Sequence, residues 1–444
     1  MKIAVVGAGI AGLGAAWALS RRHEVTVFEA AGYLGGHANT RDIVVDGRSL
    51  AVDTGFIVYN EVNYPHLTRL FDHLGVATEA SDMSFAVSLD RGRIEYEGSP
   101  RGLAAQPLNM LRPSYLRMLW DLLRFYRTAP GLLEESPGRE PTLCEVLEQG
   151  GYSRAFAEQH ILPMGAAIWS SSIEGMRDFP ARSFVRFFVN HRLFDLGERP
   201  QWRTVSGGSR AYVRALSQAF AQGVRLNTPV ARLQRTPAGV LVATRDGRQE
   251  RFDHVVLATH GDQALELLGD QATEREREVL GAFAYKENRA VLHCDSGLLP
   301  RRRAVWASWN YLAERGQGDS DRGVCVSYWM NRLQNLKTST PIIVTLNPTR
   351  EPAPDKTFAE DLYHHPQFDA GAIKAQGQLP HIQGLHRTWF CGSYCGHGFH
   401  EDGLEAGFAV AEALGAPVPW AREVEPASPA AHVVQPAVPL MAAE

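Results

Sequence analysis

Cysteine is scarce in this chain of 444 residues: there are five, an odd and scattered set, which argues against a disulfide framework and fits a reducing compartment. Lysine is scarce within its class. Of 45 basic residues only Lys2, Lys286, Lys337, Lys356 and Lys374 are lysines, which narrows any search for a catalytic amine. No apolar run reaches transmembrane length. There is no basic excess either, since the formal charge is −4, and nothing in that balance points to nucleic acid. A hydrophobic fraction of 45% describes an ordinary soluble globular chain, long enough for two interleaved domains. The apolar start behind Lys2, with Ala16-Trp17-Ala18, superficially resembles a secretory signal, but Gly7, Gly9, Gly12 and Gly14 make a poor signal core. The expected location is cytoplasmic.

The strongest pattern is in that same start. Residues 2–6 read as a buried parallel strand, and Gly7-Ala8-Gly9-Ile10-Ala11-Gly12 follows at once, opening an Ala-rich helix. In this G-x-G-x-x-G, Gly7 allows the tight turn, Gly9 the approach of a pyrophosphate, and Gly12 close packing of helix on strand. Ile10 and Ala11 form the helix N-terminus that carries phosphate charge. A second strand, 24–28, ends in Glu29 and Ala30. Glu29 lies 22 positions after Gly7, where a carboxylate reads a ribose 2′-hydroxyl and disfavours a 2′-phosphate. Residues 31–40 add a second glycine-rich turn with Gly35, Gly36 and His37. A simple NAD-type unit needs no such loop, whereas FAD enzymes often have one.

This start resembles the flavin amine oxidase and phytoene desaturase superfamily, in which a Gly-Gly pair lies just beyond the acidic residue. Relatives commonly carry Arg after the pair, where this chain has His37. UDP-galactopyranose mutases have a similar stretch, so the loop alone does not choose a reaction. The resemblance implies FAD as cofactor and assigns further contacts to it. Asp53-Thr54-Gly55-Phe56 would bring backbone to the flavin, with a plain strand end as the alternative; Val230 would face the adenine; Ala258-Thr259 would pass close by. Near the C-terminus, Gly392-Ser393 follows a strand, and a helix containing Gly403 and Leu404 would direct its positive end at the flavin. Many relatives have an acid where this chain has Ser393. Lys286 lies where several amine oxidases place a lysine near the flavin N5.

Elsewhere the residues leave alternatives open. Residues 80–200 lose the βα rhythm and are expected to form a mostly helical substrate region. Residues 108–126 mix a heavy apolar face with Arg112, Arg117 and Arg124, as in a helix lying on an anionic membrane or a core helix with solvated arginines. Trp169 lies in an almost uncharged run that lines a pocket or packs. Trp306, Trp309, Tyr311 and Tyr328 accumulate in a strand-rich stretch, 283–346, expected to give an antiparallel sheet with an aromatic floor for a hydrophobic substrate, or else a packed sheet. The run from His397 to Glu401 imitates a metal motif on loose glycines, and no metal is expected. Cys391 and Cys395 read as buried structural thiols.

The expected fold is α/β. A Rossmann-like FAD-binding domain with a parallel sheet (1–80, 201–275, 385–415) is interleaved with an α+β substrate domain containing an antiparallel sheet (81–200, 276–384). A proline-rich tail, 416–444, is expected to be disordered. No second G-x-G-x-x-G follows a strand, so the substrate itself is expected to be the reductant. Over nearly its whole length the chain is similar to a bacterial branch of NAD/FAD-binding flavoproteins that resemble the flavoprotein portion fused to plant cyclopropane fatty acid synthases. The supporting runs are 34–37, 53–56, 306–311 and 397–403. That similarity implies an apolar, lipid or fatty-acyl substrate and a lipid methyltransferase or cyclopropane synthase as partner, while the basic apolar helix of residues 108–126 gives the expectation of peripheral contact with the inner membrane surface. An amine oxidase, a redox-neutral flavin isomerase and a flavin-bound accessory subunit remain the alternatives.

Overall fold

The computed structural model describes residues 1–134, 139–195, 197, 199–314 and 324–424. Strand β1 (Lys2–Val6), helix α1 (Ile10–Ser20) and strand β2 (Glu24–Phe28) form the expected first unit. Later segments complete its sheet: β3 (Val224–Arg225), β4 (His254–Leu257) and β5 (Thr388–Phe390), in the order β3-β2-β1-β4-β5 with every pair parallel. The three central strands, β2, β1 and β4, are buried along nearly their whole length, which is why they are dominated by apolar residues. Helix α2 (His400–Ala413) closes the unit by packing along α1.

That helix contact is made at backbone distance. A Cβ on Gly407 would lie 2.3 Å from the Ala11 carbonyl oxygen, one on Gly14 would lie 2.6 Å from Leu404 Cδ1, and one on Gly403 would lie 3.0 Å from Ile10 Cγ2. Gly403 lies against Ile10 and Ala11, and Gly407 one turn on lies against Ala11 and Ala15, so the helices run in the same direction and their N-terminal turns lie side by side.

The second unit is built on seven strands in the order Thr357–Gln367, Ala284–His293, Ile343–Leu346, Cys325–Trp329, Trp309–Ala313, Phe85–Leu89, Ile94–Glu97. Neighbours are antiparallel except that Trp309–Ala313 runs parallel to Phe85–Leu89. The expected α/β class, a parallel sheet beside a unit with an antiparallel sheet, is the class the chain adopts. The region expected to be mostly helical begins differently, since residues 85–97 extend the large sheet before the helices start. Their pairing partner lies more than 200 residues away, beyond the reach of local periodicity.

The tail also starts later than expected. Ala416, Val418 and Trp420 are buried, and Trp420 stacks on Trp17 at 5.7 Å between ring centroids and donates from Nε1 to His66 Nδ1 at 3.3 Å. Pro417 and Pro419 bend the chain so that the indole closes the groove beside α1. The remainder of the proposed tail, 425–444, lies outside the described residues. Trp420→Ala is expected to destabilise the protein by roughly 3–5 kcal/mol, the usual cost of deleting a buried indole. Urea denaturation checks this, and a loss well under that range would contradict the anchoring role.

Candidate active site

The phosphate end of the site is assembled from β1, β2 and the second glycine loop. Gly7 has φ +97° and lies against the Ala258 carbonyl, while a Cβ on Gly12 would lie only 1.9 Å from the Gly7 oxygen. Thr259 lies on the same turn, its Cγ2 3.4 Å from where a Gly7 Cβ would be. Helix α1 starts at Gly9 with no side-chain cap, and a Cβ there would meet no atom within 4 Å. An uncapped helix start beside open space fits a pyrophosphate. Glu29 accepts from Ala8 N–H and Ala31 N–H, each at 2.8 Å, which holds the carboxylate next to that opening. Thr228 N–H donates to the Glu29 carbonyl at 2.8 Å and brings Val230 to the same corner, and Ala30 is exposed just beyond it. Gly35 and Gly36 both have positive φ, and Gly35 N–H donates to Ala8 O at 2.9 Å, tying the second loop to the first.

Three residues expected at the cofactor, Asp53 and Gly55 at the flavin and His37 at the phosphates, have other partners. Asp53 is 1% exposed, and its carboxylate accepts from Thr40 Oγ1 (2.6 Å), Ser209 N (2.9 Å), Ser209 Oγ (2.8 Å) and Gln334 Nε2 (2.8 Å). It is a clamp beneath the cradle, and burial pushes its pKa up to about 6 against those donors. Gly55 is required by the protein's own backbone, since a Cβ there would lie 2.2 Å from the His37 oxygen. His37 turns toward the large sheet, its ring against Tyr363 (4.8 Å) and edge-on to His365 (5.3 Å). Burial, and then the neighbouring imidazoles, hold its pKa well below the ordinary value, so it offers the phosphates no charge.

Phe56 stacks on His400 at 3.8 Å, and His400 Nε2 accepts from Tyr212 OH at 2.6 Å. Beside it Gly403 lies next to Ser393 N, and Gly392 is shielded by the Tyr394 ring, whereas Leu404 is fully buried against Gly14 and packs the helix crossing. Tyr394 OH is buried without a hydrogen-bond partner among the described residues, a vacancy at the flavin end that suits a bound polar group.

The sheet supplies the opposite wall. Its register puts Lys286, Asn288, His365 and Tyr363 on one face, with Lys286 paired to His365 and Asn288 to Tyr363. Asn347 Nδ2 donates to Asn288 Oδ1 at 2.7 Å, so the Asn288 amide donates to His365 Nδ1 at 2.9 Å and the proton of neutral His365 resides on Nε2. The Lys286 ammonium has no hydrogen-bond or ion-pair partner among the described residues. The same face continues through Val344, Leu346, Val326, Tyr328, Trp309 and Tyr311. Trp309 and Tyr328 meet edge to face at 4.9 Å and stay partly exposed between two packed regions, one under the hairpin of residues 40–53 and one under the helices.

Other pocket expectations are corrected. Tyr311 is 5% exposed and covered. Trp306 lies in a turn before the strand, donates to Pro300 O at 2.7 Å and meets Trp329, whose side chain is on the other face from Tyr328. Trp169 is packed among Phe179, Phe184 and Phe187 and donates to His397 O at 3.3 Å, bracing the approach to α2. Among the described residues no group of three His, Cys, Asp or Glu side chains could hold a metal. Cys391 and Cys395 are free and buried, and burial pushes the Cys391 thiol up to about 12. Sequence reasoning missed His365, Tyr363 and Asn288. The alternation of Tyr363 and His365 along an 11-residue strand was the available signal.

The family model described as flavin containing amine oxidoreductase matches residues 10–335. A candidate flavin-containing monoamine oxidase of Mycobacterium tuberculosis is 27% identical over 259 residues, 56% of this chain and 55% of that one. The chain thus spans about half the length of the curated relatives it matches. Cyclohexylamine oxidase from Brevibacterium oxydans IH-35A superposes with a TM-score of 0.68 at 15% identity, over 93% of this chain and 99% of that one. A CLA-producing fatty acid isomerase from P. acnes superposes with a TM-score of 0.62 at 17% identity, over 91% and 96%. At such identities these likenesses establish the fold.

Burial lowers the pKa of His260 and His365 to about 4 and of His400 to about 3. The unfolded chain takes up these protons below about pH 6.5 and the folded chain does not, so the stability is complete above that value and is lost as pH falls toward 4. The urea midpoint should be lower at about pH 5.5 than at about pH 7.5. Equal midpoints would mean that the folded site accepts the protons.

Proposed function

Because the chain belongs to the flavin containing amine oxidoreductase family, a family of FAD-dependent oxidoreductases, we propose that it takes hydride from a C–H bond of an apolar, lipid or fatty-acyl substrate in a dehydrogenase or desaturase reaction. The observation that carries this reading is the sheet face that holds Lys286 and His365 at one end and turns wholly apolar and aromatic toward the other. Ala290, Leu292, Val344 and Leu346 are covered by the hairpin of residues 40–53, so the part of this face left to an apolar substrate is at Trp309 and Tyr328. Among the described residues no carboxylate lies on that face from the strand Ile343–Leu346 outward, so a cationic substrate would find no counter-charge there.

Bound in the cradle, the flavin supplies the hydride-accepting ring. The residues of the chain do the rest. Gly9, Ile10 and Ala11 would hold the pyrophosphate and Glu29 the ribose. Asn347 and Asn288 fix His365 so that it presents an N–H, and the Lys286 amine opposite it, once it has released its own proton to solvent, would take the proton that leaves the substrate as the hydride departs. Trp309 and Tyr328 exclude water and take up the chain. The resemblance of runs 34–37, 53–56, 306–311 and 397–403 to flavoproteins fused to cyclopropane fatty acid synthases supports the lipid substrate, with such a synthase or a lipid methyltransferase as the partner we propose. The edge-to-face Trp309–Tyr328 pair supports one second reading, an amine oxidase, because aromatic faces also attract cations.

The test is the visible spectrum of the flavin-loaded protein without oxygen. Extracted membrane lipid is expected to bleach it and a polyamine is not. Bleaching by the amine alone would replace the lipid reading with the amine one, and bleaching by neither would favour an isomerase or an accessory subunit. Lys286→Met is expected to slow bleaching by about a hundredfold with flavin content unchanged. An unaltered rate would remove Lys286 from the reaction.

A further inference from the structure

The helix Pro113–Thr128 and the turn before it carry a surface that the cofactor site does not use. Leu108, Met110, Leu111, Leu116, Trp120 and Leu123 are 62%, 41%, 78%, 45%, 53% and 39% exposed. Single exposed apolar residues are ordinary, but six within one turn and one helix face make a patch. On the helix, Leu116, Trp120 and Leu123 follow the i, i+4, i+7 spacing of a single face. Tyr115, Met118 and Phe125 form a separate, buried face, with Phe125 packed on Phe156 and Tyr115 on Tyr96. The helix therefore has two apolar faces and only one is covered.

The charge around the open face has one sign. Between Glu97 and Glu134 the basic residues are Arg101, Arg112, Arg117, Arg124 and Arg127, and the single acid is Asp121. That carboxylate is fully buried, held by Arg117 Nε (3.1 Å), Arg124 Nη2 (3.0 Å) and Ser153 N–H (2.9 Å), so the segment displays arginine and hydrocarbon and no carboxylate. Trp120 lies between two of these cations, 4.7 Å from the Arg117 guanidinium and 5.1 Å from that of Arg124. An indole flanked by arginines above an apolar stripe is the composition of a helix lying in a lipid interface.

We propose that this face docks the protein on an anionic bilayer, with Leu111, Leu116 and Trp120 in the boundary between headgroups and acyl chains. A bilayer offers the apolar layer and the negative charge together. A second copy would oppose arginine to arginine. No helix among the described residues is long and apolar enough to cross a membrane, so the contact is peripheral. The assignment is independent of which substrate is oxidised.

Co-sedimentation of the flavin-loaded full chain with vesicles tests it, using phosphatidylcholine alone and phosphatidylcholine mixed with phosphatidylglycerol. Binding is expected only to the mixed vesicles and should weaken as salt is raised. The double variant L111E/W120E should lower the bound fraction about tenfold or more, with flavin content and thermal unfolding unchanged. The charge variant R101E/R127E, which leaves the Asp121 pairs intact, should lower it as well. Absence of binding to anionic vesicles, undiminished binding by L111E/W120E, or a dimer in solution dissociated by that variant would each overturn the proposal.

Discussion

Backbone contact between α1 and α2 sets the position of everything else in the site. Glycine at 14, 403 and 407 removes the side chains that would hold the helices apart, so both begin at the same opening. Each contributes the positive end of its dipole there. The start of α2 also joins a third element, because Glu401 accepts from the backbone N–H groups of His66 and Leu67 and so caps the helix Pro65–Leu74. Burial raises the pKa of that carboxyl well above the carboxylate range, but the two backbone donors favour its charged form. The two helix starts are thus fixed to each other through contacts that tolerate no added methyl group, and the helix Pro65–Leu74 is fixed to them through Glu401.

What the sequence made legible was what local rules govern. The first βα unit follows from neighbours in the chain, with glycine at 7, 9 and 12 between an apolar strand and an Ala-rich helix. Asp53 was legible as a special carboxylate but not in its role. Its partners Thr40, Ser209 and Gln334 are 13, 156 and 281 residues away, and no spacing rule connects them. Gly55 behaves likewise: a close approach was readable, but the approaching group is the His37 backbone.

The aromatic stretch shows the same limit in a periodic element. Alternation separates Tyr328 from Trp329 as soon as a strand is assumed, yet which of the two looks inward depends on the register with three other strands. Trp306 fell on the wrong side because the chain is still in a turn there and the strand begins at Trp309. The histidines were less legible still. Residues 37, 260, 365 and 400 come from a glycine loop, a strand exit, the long sheet strand and a helix start, and only the closed fold gathers them.

Once gathered, they constrain what the site can accept. Burial and mutual repulsion keep these imidazoles neutral, so Lys286 is the one cation on its stretch of the sheet face, while the Asp361 carboxylate on that face is already engaged by Arg41 and Thr54. Two unit charges about 6 Å apart repel by roughly 3 kcal/mol at an effective dielectric of about 20. A protonated amine reacting beside Lys286 would meet that repulsion without a free carboxylate on the face to offset it. An uncharged chain meets none, and it gains from covering the partly exposed Trp309 and Tyr328. The neutrality of the imidazoles and the hydrocarbon character of the wall therefore favour the same class of substrate.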